Sequence, residues 1–512
     1  MERQGAATAD LAALARGGRI NFFGFILRLL ARLPFLFIAG RMYGAEQLGR
    51  FAYAVLILEF ASQLATLGLK RGLAQQLAKT DKEHVCVVAD ALLVAAIGSA
   101  VAMTLLALFP QAMFPNSEIH GMEWALPVTI FALAWSDICL AALAYRHDVA
   151  STVRARAIVE PWTISIVAFG WYFISSRDGL IIAYALSMVG ALIASVIPFV
   201  KSYGLPHGWS PQPGPLWRLA RRNLPVAAAD AVEWGSRRID IAVLGLFFSP
   251  AIVGIYYVAQ QVASLPAKLK TSFDPILGPV ISRNLAEGDK MAVAQQVRQV
   301  GFWVIAAQGG VALALGIPGE AVMGLVGAGF VAGTAALGFL LAAEVVAATA
   351  AVSEAALIYC ARHRNMMISI AMIALEAGLA AGLILLMRSW QWPVMWQATG
   401  PALALVLSLG FASIAKSRLL SSILRNPVSG WRWSLVWASS AAIAVGWLFT
   451  LLPPKFEWLE LVGGIPAILA AFGAVLWVKG FGHEDRELFR MKKEDIEELS
   501  LPGPGSSVDS PK

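Results

Sequence analysis

A chain of 512 residues that is 58% hydrophobic and 14% charged, with a mean hydropathy of +0.67, lies outside the range of soluble domains, which run at about 45–50% apolar and about 25% charged. A soluble fold cannot bury that much apolar surface, so a water-soluble globular protein is excluded. The formal net charge of +7 would suit an acidic partner, but in a membrane chain the position of each Lys and Arg decides more than their sum, and no nucleic-acid partner is expected.

A hydrocarbon core of about 30 Å takes about 20 mostly apolar residues per helix. Fourteen such windows can be drawn, at 20–40, 50–69, 85–109, 123–145, 157–175, 179–200, 224–248, 252–273, 299–317, 334–360, 366–387, 395–415, 433–452 and 459–478. The first follows a polar stretch and precedes no A-x-A-like cleavage site, so it is read as a retained helix. Alternate connections hold the Lys and Arg excess, from Arg16 and Arg19 through Lys70, Arg71, Arg146, Arg154, Arg156, Lys201, Arg218, Lys290, Arg362 and Lys416 to the group after Lys479, while the opposite side keeps Arg41, Arg50, Arg177, Arg388 and Lys455. This asymmetry predicts that both termini are cytoplasmic.

In chain order the predicted organisation is a cytoplasmic segment at 1–17, an N-lobe at 18–200, a cytoplasmic linker at 201–223, a C-lobe at 224–416, two further helices within 417–479, and a charged, disordered tail at 480–512. Arg28 and Arg32 share a face of the first helix, Arg32 about 18 Å from its cytoplasmic end. Carboxylates follow at Glu59, Asp90, Asp137 and Glu160. Pro206, Pro211, Pro213 and Pro215 make the linker, with Arg218, Arg221 and Arg222 set to meet anionic headgroups. The seventh helix carries Asp230, Glu233, Arg237, Arg238 and Asp240, and Glu344, Glu354 and Glu376 lie in the tenth and eleventh. Trp390, Trp392 and Trp396, and Trp431, Trp433 and Trp437, fit interfacial belts. Pro161, Pro225, Pro266, Pro275 and Pro279 permit bends near helix ends. Cys86, Cys139 and Cys360 show no C-x-x-C spacing, so neither a zinc site nor a disulfide framework is expected, and no cofactor.

Sliding the second half back by 205 positions pairs Gly40 with Gly245, Gly49 with Gly254, Ala54 with Ala259, Arg32 with Arg237, Phe51 with Tyr256 and Tyr43 with Phe248. Six helices return the chain to its starting side, so the halves would be parallel repeats about an axis along the membrane normal. The fold class expected is therefore an all-α polytopic membrane protein of about fourteen helices, two six-helix lobes related by a pseudo-twofold and two appended helices.

Several stretches carry a resemblance: Gly18-Arg19-Ile20-Asn21, the run Tyr43 to Phe51 (YGAEQLGRF), Leu67-Gly68-Leu69, Arg238 to Gly245 (RIDIAVLG) and Val253 to Tyr256 (VGIY). In these the chain resembles Wzx-like polysaccharide flippases, in the superfamily that also holds multidrug exporters and the lipid II flippase. The resemblance implies two lobes around a central cavity, with alternating access moving an undecaprenyl-diphosphate-linked oligosaccharide from the cytoplasmic to the periplasmic leaflet of the bacterial inner membrane for lipopolysaccharide or exopolysaccharide biosynthesis. A polysaccharide polymerase and glycosyltransferases would be its partners, beside the glycan-bearing lipid and the membrane lipids.

Placing Arg near the bilayer centre costs about 2.5–3.5 kcal/mol on insertion scales, so such residues face a wet cavity or a partner. Arg28, Arg32, Arg237 and Arg238 are accordingly candidates to hold a diphosphate or acidic sugar with guanidinium forks, against the alternative of bridges to Glu233 or Asp240. Glu59, Asp137, Glu344 and Glu376 are candidates to couple transport to H⁺ or Na⁺, against the alternative of helix-to-helix bridges. An ion-coupled multidrug exporter shares the architecture. A membrane glycosyltransferase or polymerase would need acid, base or metal-binding groups on an outer loop, where only Glu118, His120 and Glu123 approach the requirement. A non-transporting scaffold would need none of these charges.

Overall fold

The computed structural model describes residues 33–80, 82–119, 121–270, 281–453 and 456–482, with the side chains of 149, 268–270 and 457 excepted, and among them the chain is helical without a strand. The first described helix passes through a π turn, Ala39–Tyr43, to Gly44, whose φ of 79° redirects the chain into α1, Gly44–Ala65. Leu67 and Gly68, at φ 47° and 71°, turn it again before the short α2, Leu69–Leu77. There follow α3 (His84–Leu108), α4 (Thr129–Tyr145), α5 (Glu160–Tyr172), α6 (Gly179–Tyr203), α7 (Pro213–Phe247), α8 (Pro250–Lys270), α9 (Lys290–Gly316), α10 (Thr334–Cys360), α11 (Arg362–Ser389), α12 (Gly400–Leu424), α13 (Ser434–Thr450) and α14 (Ile465–Val475).

Nine helices among the described residues are long and apolar enough to cross a membrane. The predicted count of about fourteen is not reached on length and composition alone: α13, at 17 residues, is apolar but short, Leu33–Leu77 runs as one span of 45 residues, and three further helices miss for a chemical reason. Helix α7 packs Asp230, Glu233, Arg237, Arg238 and Asp240 into three turns, α8 carries Gln260 and Gln261, and α5 opens on Glu160 directly after the π turn Arg154–Val159, which carries Arg156. The helices that fail an apolarity test are those that supply the polar groups described below. Exposed apolar side chains such as Val101, Leu105, Ile193, Ile197, Trp437 and Trp447 cover the outside, as lipid contact requires.

Among the described residues three hydrophobic cores organise the bundle. One joins the two halves, with Leu48, Phe51 and Leu58 of α1 packed among Val253, Tyr256 and Val258 of α8. A second is built in the first half around Leu69, Leu73, Ile138, Phe199 and Tyr203, and the start of α7 packs on it through Leu216, Leu219 and Ala220. The third holds α13 and α14 against α9, through Phe302, Ala438, Ala442, Phe472 and Leu476, so the last two helices dress one face of the second half.

The connection between the halves is shorter than predicted. Helix α6 continues to Tyr203 and α7 already begins at Pro213, so Pro213 and Pro215 start a helix, where a missing N–H is harmless, and the basic run Arg218, Arg221 and Arg222 is helical. Within the connection, the Trp209 indole donates to Asp90 Oδ1 of α3 at 2.9 Å.

Candidate functional site

Helices α1 and α2 of the first half meet α7 and α8 of the second along one junction, closed at both of its ends by different chemistry. At one end the approach is backbone on backbone. A Cβ on Gly49 would stand 2.6 Å from the Gly254 nitrogen, and one on Gly254 would stand 2.9 Å from the Gly49 nitrogen. The same two glycines face, respectively, the carbonyls of Pro250 and Ala45. The offset of 205 converts the first of these contacts into the second, so the junction is self-complementary in the manner of a two-fold interface.

Polar latches reinforce this end. Asn116 donates from Nδ2 to the carbonyls of Gly245 (2.7 Å) and Phe248 (2.9 Å), and Arg41 Nε donates to the Leu325 carbonyl at 3.0 Å, both from the first half to the second. Arg50 pairs with the buried Glu123, donates to the Glu118 carbonyl at 2.7 Å and lies over the Phe114 ring. Glu123 is therefore no solvated outer-loop acid, while His120 lies outside the described residues.

At the other end the contacts are ionic. Arg71 of α2 reaches Asp230 Oδ1 at 3.0 Å and Glu233 Oε2 at 2.5 Å, both on α7. Gly68 allows it: a Cβ there would lie 2.7 Å from the Ala227 nitrogen, and its left-handed φ disfavours other residues besides. Between the ends, Arg238 approaches Glu59 at 3.8 Å across the junction, and the Phe60 and Trp234 rings sit 4.6 Å apart. Arg237 lies one turn beyond Glu233, with its Nη2 3.7 Å from Glu233 Oε1, and its side chain is 67% exposed. Because Glu233 also holds Arg71 of the first half, the face of α7 that presents Arg237 is turned to the junction.

Behind this strip, in the first half, Asp137 accepts from Lys70 at 3.0 Å and from Arg156, which also holds Glu160 at 2.9 Å. The neighbourhood thus sets Lys70, Arg71, Arg156, Arg237 and Arg238 against Glu59, Asp137, Glu160, Asp230 and Glu233, a balanced mixture of signs.

Inside the second half a different polar group is sealed off. Asp240 is fully buried and accepts from the Tyr256 hydroxyl at 2.7 Å and from the Gln260 amide at 3.1 Å and 3.0 Å. Glu376 of α11 is equally buried and lies within electrostatic reach of Asp240. Neither Glu376 oxygen, nor Gln260 Oε1, has a hydrogen-bond partner among the described residues. A buried carboxylate left without donors is expensive, so a proton or a bound cation between Asp240 and Glu376 would relieve it. Among the described residues no group of three or more His, Cys, Asp or Glu is placed to hold a metal ion.

The candidates named from sequence separate accordingly. Arg28 and Arg32 lie outside the described residues. Arg237 is exposed on the junction and Arg238 is drawn to Glu59 rather than to Asp240. Asp137 is paired with Lys70 and Arg156, the helix-to-helix bridge that was the alternative to a coupling role. Glu344 lies half-buried on α10, and among the described residues Glu376 has both carboxylate oxygens buried with no hydrogen-bond donor. Sequence reasoning missed Lys70, Arg71 and Arg156, which it spent on loop charge, and it missed Tyr256 and Gln260, whose spacing of four on α8 was the available signal.

The model of a family described as polysaccharide biosynthesis protein matches residues 38–305, just over half of the chain. No curated protein matches by sequence. The solved structures it resembles include the lipid II flippase MurJ in an inward closed conformation, at 11% identity over 89% of this chain and 99% of that one, with a TM-score of 0.65. A multidrug resistance MATE family transporter of the MOP superfamily, inward-facing, is similar at 14% identity over 78% of this chain and 99% of that one, with a TM-score of 0.61. A MOP superfamily transporter from Pyrococcus furiosus, described by the reverse polarity of its binding pocket, is similar at 15% identity over 81% and 98%, with a TM-score of 0.54. With helices of this length and apolarity, the chain is a multi-pass membrane protein with the MOP-superfamily transporter fold, and it belongs to the polysaccharide biosynthesis protein family.

Proposed function

We propose that the protein is a flippase that moves an undecaprenyl-diphosphate-linked oligosaccharide from the cytoplasmic to the periplasmic leaflet of the bacterial inner membrane by alternating access, for lipopolysaccharide or exopolysaccharide assembly. The observation that carries this reading is Arg237: an exposed guanidinium at the junction of the halves, loosely paired at 3.7 Å and so free to fork onto a diphosphate. Membership in a polysaccharide biosynthesis family supports a glycan cargo. The Lys and Arg asymmetry supports cytoplasmic termini, which puts the Arg71 end of the junction in the cytoplasm and the Gly49 end outside.

In this scheme the two ends act as alternate gates. Opening one separates Gly49 from Gly254 and frees Asn116; opening the other breaks the Arg71 pairs with Asp230 and Glu233. The buried Asp240 and Glu376 are the coupling site, exchanging a proton or Na⁺ as the second half changes shape. Polysaccharide polymerase and glycosyltransferases act beside the flippase as its partners. Reconstitution in liposomes tests the whole: transfer of a diphosphate-linked glycolipid between leaflets is expected.

A second reading is an ion-coupled multidrug exporter, favoured by the Asp240 and Glu376 pair and by the half-exposed Glu59, which would suit a cationic drug. Ion-driven export of organic cations without glycolipid transfer in the same liposomes would decide for it.

A further inference from the structure

Away from the junction, the end of α6 and the connection from α4 to α5 border an open cleft of about 380 Å³, lined by Asp148, Ser151, Arg154, Ile197, Pro198, Lys201 and Ser202. Its volume falls within the range of small-molecule sites, about 300–1,000 Å³. No residue of the second half lines it. Arg154 and Lys201 are exposed and form no ion pair among the described residues. The carboxylate of Asp148 is occupied: it accepts from the Ser151 hydroxyl at 2.6 Å and from the Ser151 N–H at 3.1 Å. Arg146, which lies 3.8 Å from the centre of the Tyr203 ring and donates to the Ser202 carbonyl, adds a third positive charge beside the cleft. The opening therefore presents an excess of positive charge.

The surroundings point to a lipid rather than a soluble anion. Val189, Ile193 and Ile197 are spaced by four on α6, so they lie one above another, and all three are exposed. They make an apolar stripe running from the cleft along a helix that is itself long and apolar enough to cross the bilayer. Two unpaired cations above such a stripe match a phosphate headgroup above an acyl chain.

We propose that this cleft is a binding site for the phosphate headgroup of an anionic phospholipid, with one acyl chain lying along Val189, Ile193 and Ile197. Arg154 and Lys201 hold the phosphate, and the Ser202 hydroxyl is available to a polar headgroup substituent. The site rests on the membrane location of the chain and not on its cargo, so it stands or falls separately from the flippase reading.

Native mass spectrometry of the full chain, released from phosphatidylcholine nanodiscs with and without phosphatidylglycerol, tests the proposal without any transport measurement. Retention of phosphatidylglycerol over phosphatidylcholine is expected. The double variant Arg154→Gln and Lys201→Gln should weaken that retention by about twenty-five-fold, at about fivefold for each cation removed. The charge-preserving pair Arg154→Lys and Lys201→Arg should keep it. Equal retention of the two lipids, or undiminished phosphatidylglycerol on the Gln variant, overturns the site. Full displacement of the lipid by soluble glycerol phosphate would assign the cations to a free phosphate and overturn the lipid assignment.

Discussion

Gly49 and Gly254 stand 205 positions apart in the chain and face to face in the fold, each within 3 Å of where the other's Cβ would be if it had one. Such contact is available only to residues without a side chain, so two helices from different halves run closer than larger residues would allow. Ala at either position must push against backbone rather than a flexible side chain. Gly49→Ala and Gly254→Ala are each expected to lower stability by about 1–3 kcal/mol, read as a lower melting temperature in detergent. Because the two share one contact, the double variant should fall short of the sum. Parent-like melting of both single variants would rule out the close approach.

Arg71 is half-exposed, yet one of its partners, Asp230, has a side chain with no exposure at all. Arg71→Ala leaves that carboxylate buried without its cation, a larger effect than loss of an exposed pair, which is typically about 0–1 kcal/mol. Adding Asp230→Asn removes the stranded charge. Part of the lost stability should therefore return in the double variant, and a cycle with zero coupling energy would dismiss the pair as a tie between the halves.

Glu376→Gln replaces a buried, undonated carboxylate by a neutral isostere. Relief of the buried charge predicts a melting temperature at or above that of the parent. Transport in liposomes should meanwhile lose its response to an imposed proton or sodium gradient, and Asp240→Asn should act in the same direction. Retained gradient dependence in Glu376→Gln would remove this pair from the coupling role.

Arg237 and Arg238 are neighbours in sequence with unlike duties. Loss of a loosely paired, exposed guanidinium should leave stability within about 0.5 kcal/mol, so Arg237→Ala is expected to abolish surface polysaccharide at normal protein level. Arg238→Ala breaks a half-exposed contact at 3.8 Å, for which an effect below about 1 kcal/mol and a milder transport defect are expected. Full polysaccharide production by the Arg237→Ala strain would favour a scaffold.

Much of this was legible in the residues. Helix α10 occupies the window drawn for it from apolarity, and the repeat offset marks Gly49 and Gly254 as equivalent positions, although that they meet face to face is visible only in the fold. Helix α7 began eleven residues before its apolar stretch, since Pro213 and Pro215 read as breakers when they stand in fact at a helix start, and the charged turns that follow carry no apolar signal. The site was harder. Sidedness arguments weigh Lys70, Arg71 and Arg156 only as loop charges and are blind to the acids each one reaches in space. Asp240 and Glu376 are brought together by packing of α7 on α11, a relation that no local periodicity records.

The Trp209 bond to Asp90 bears on how the halves move. With the indole pinned to α3, most of the connection travels with the first half, and the slack left before α7 is the three residues Ser210, Pro211 and Gln212. Three residues span at most about 10 Å when extended, and one of them is a proline. The tether therefore works as a short strap rather than a loose cord. A swing larger than the strap permits has to be taken up within α7 itself, and Pro225, which leaves the Arg221 carbonyl without its helical donor, is the point where that helix yields most readily.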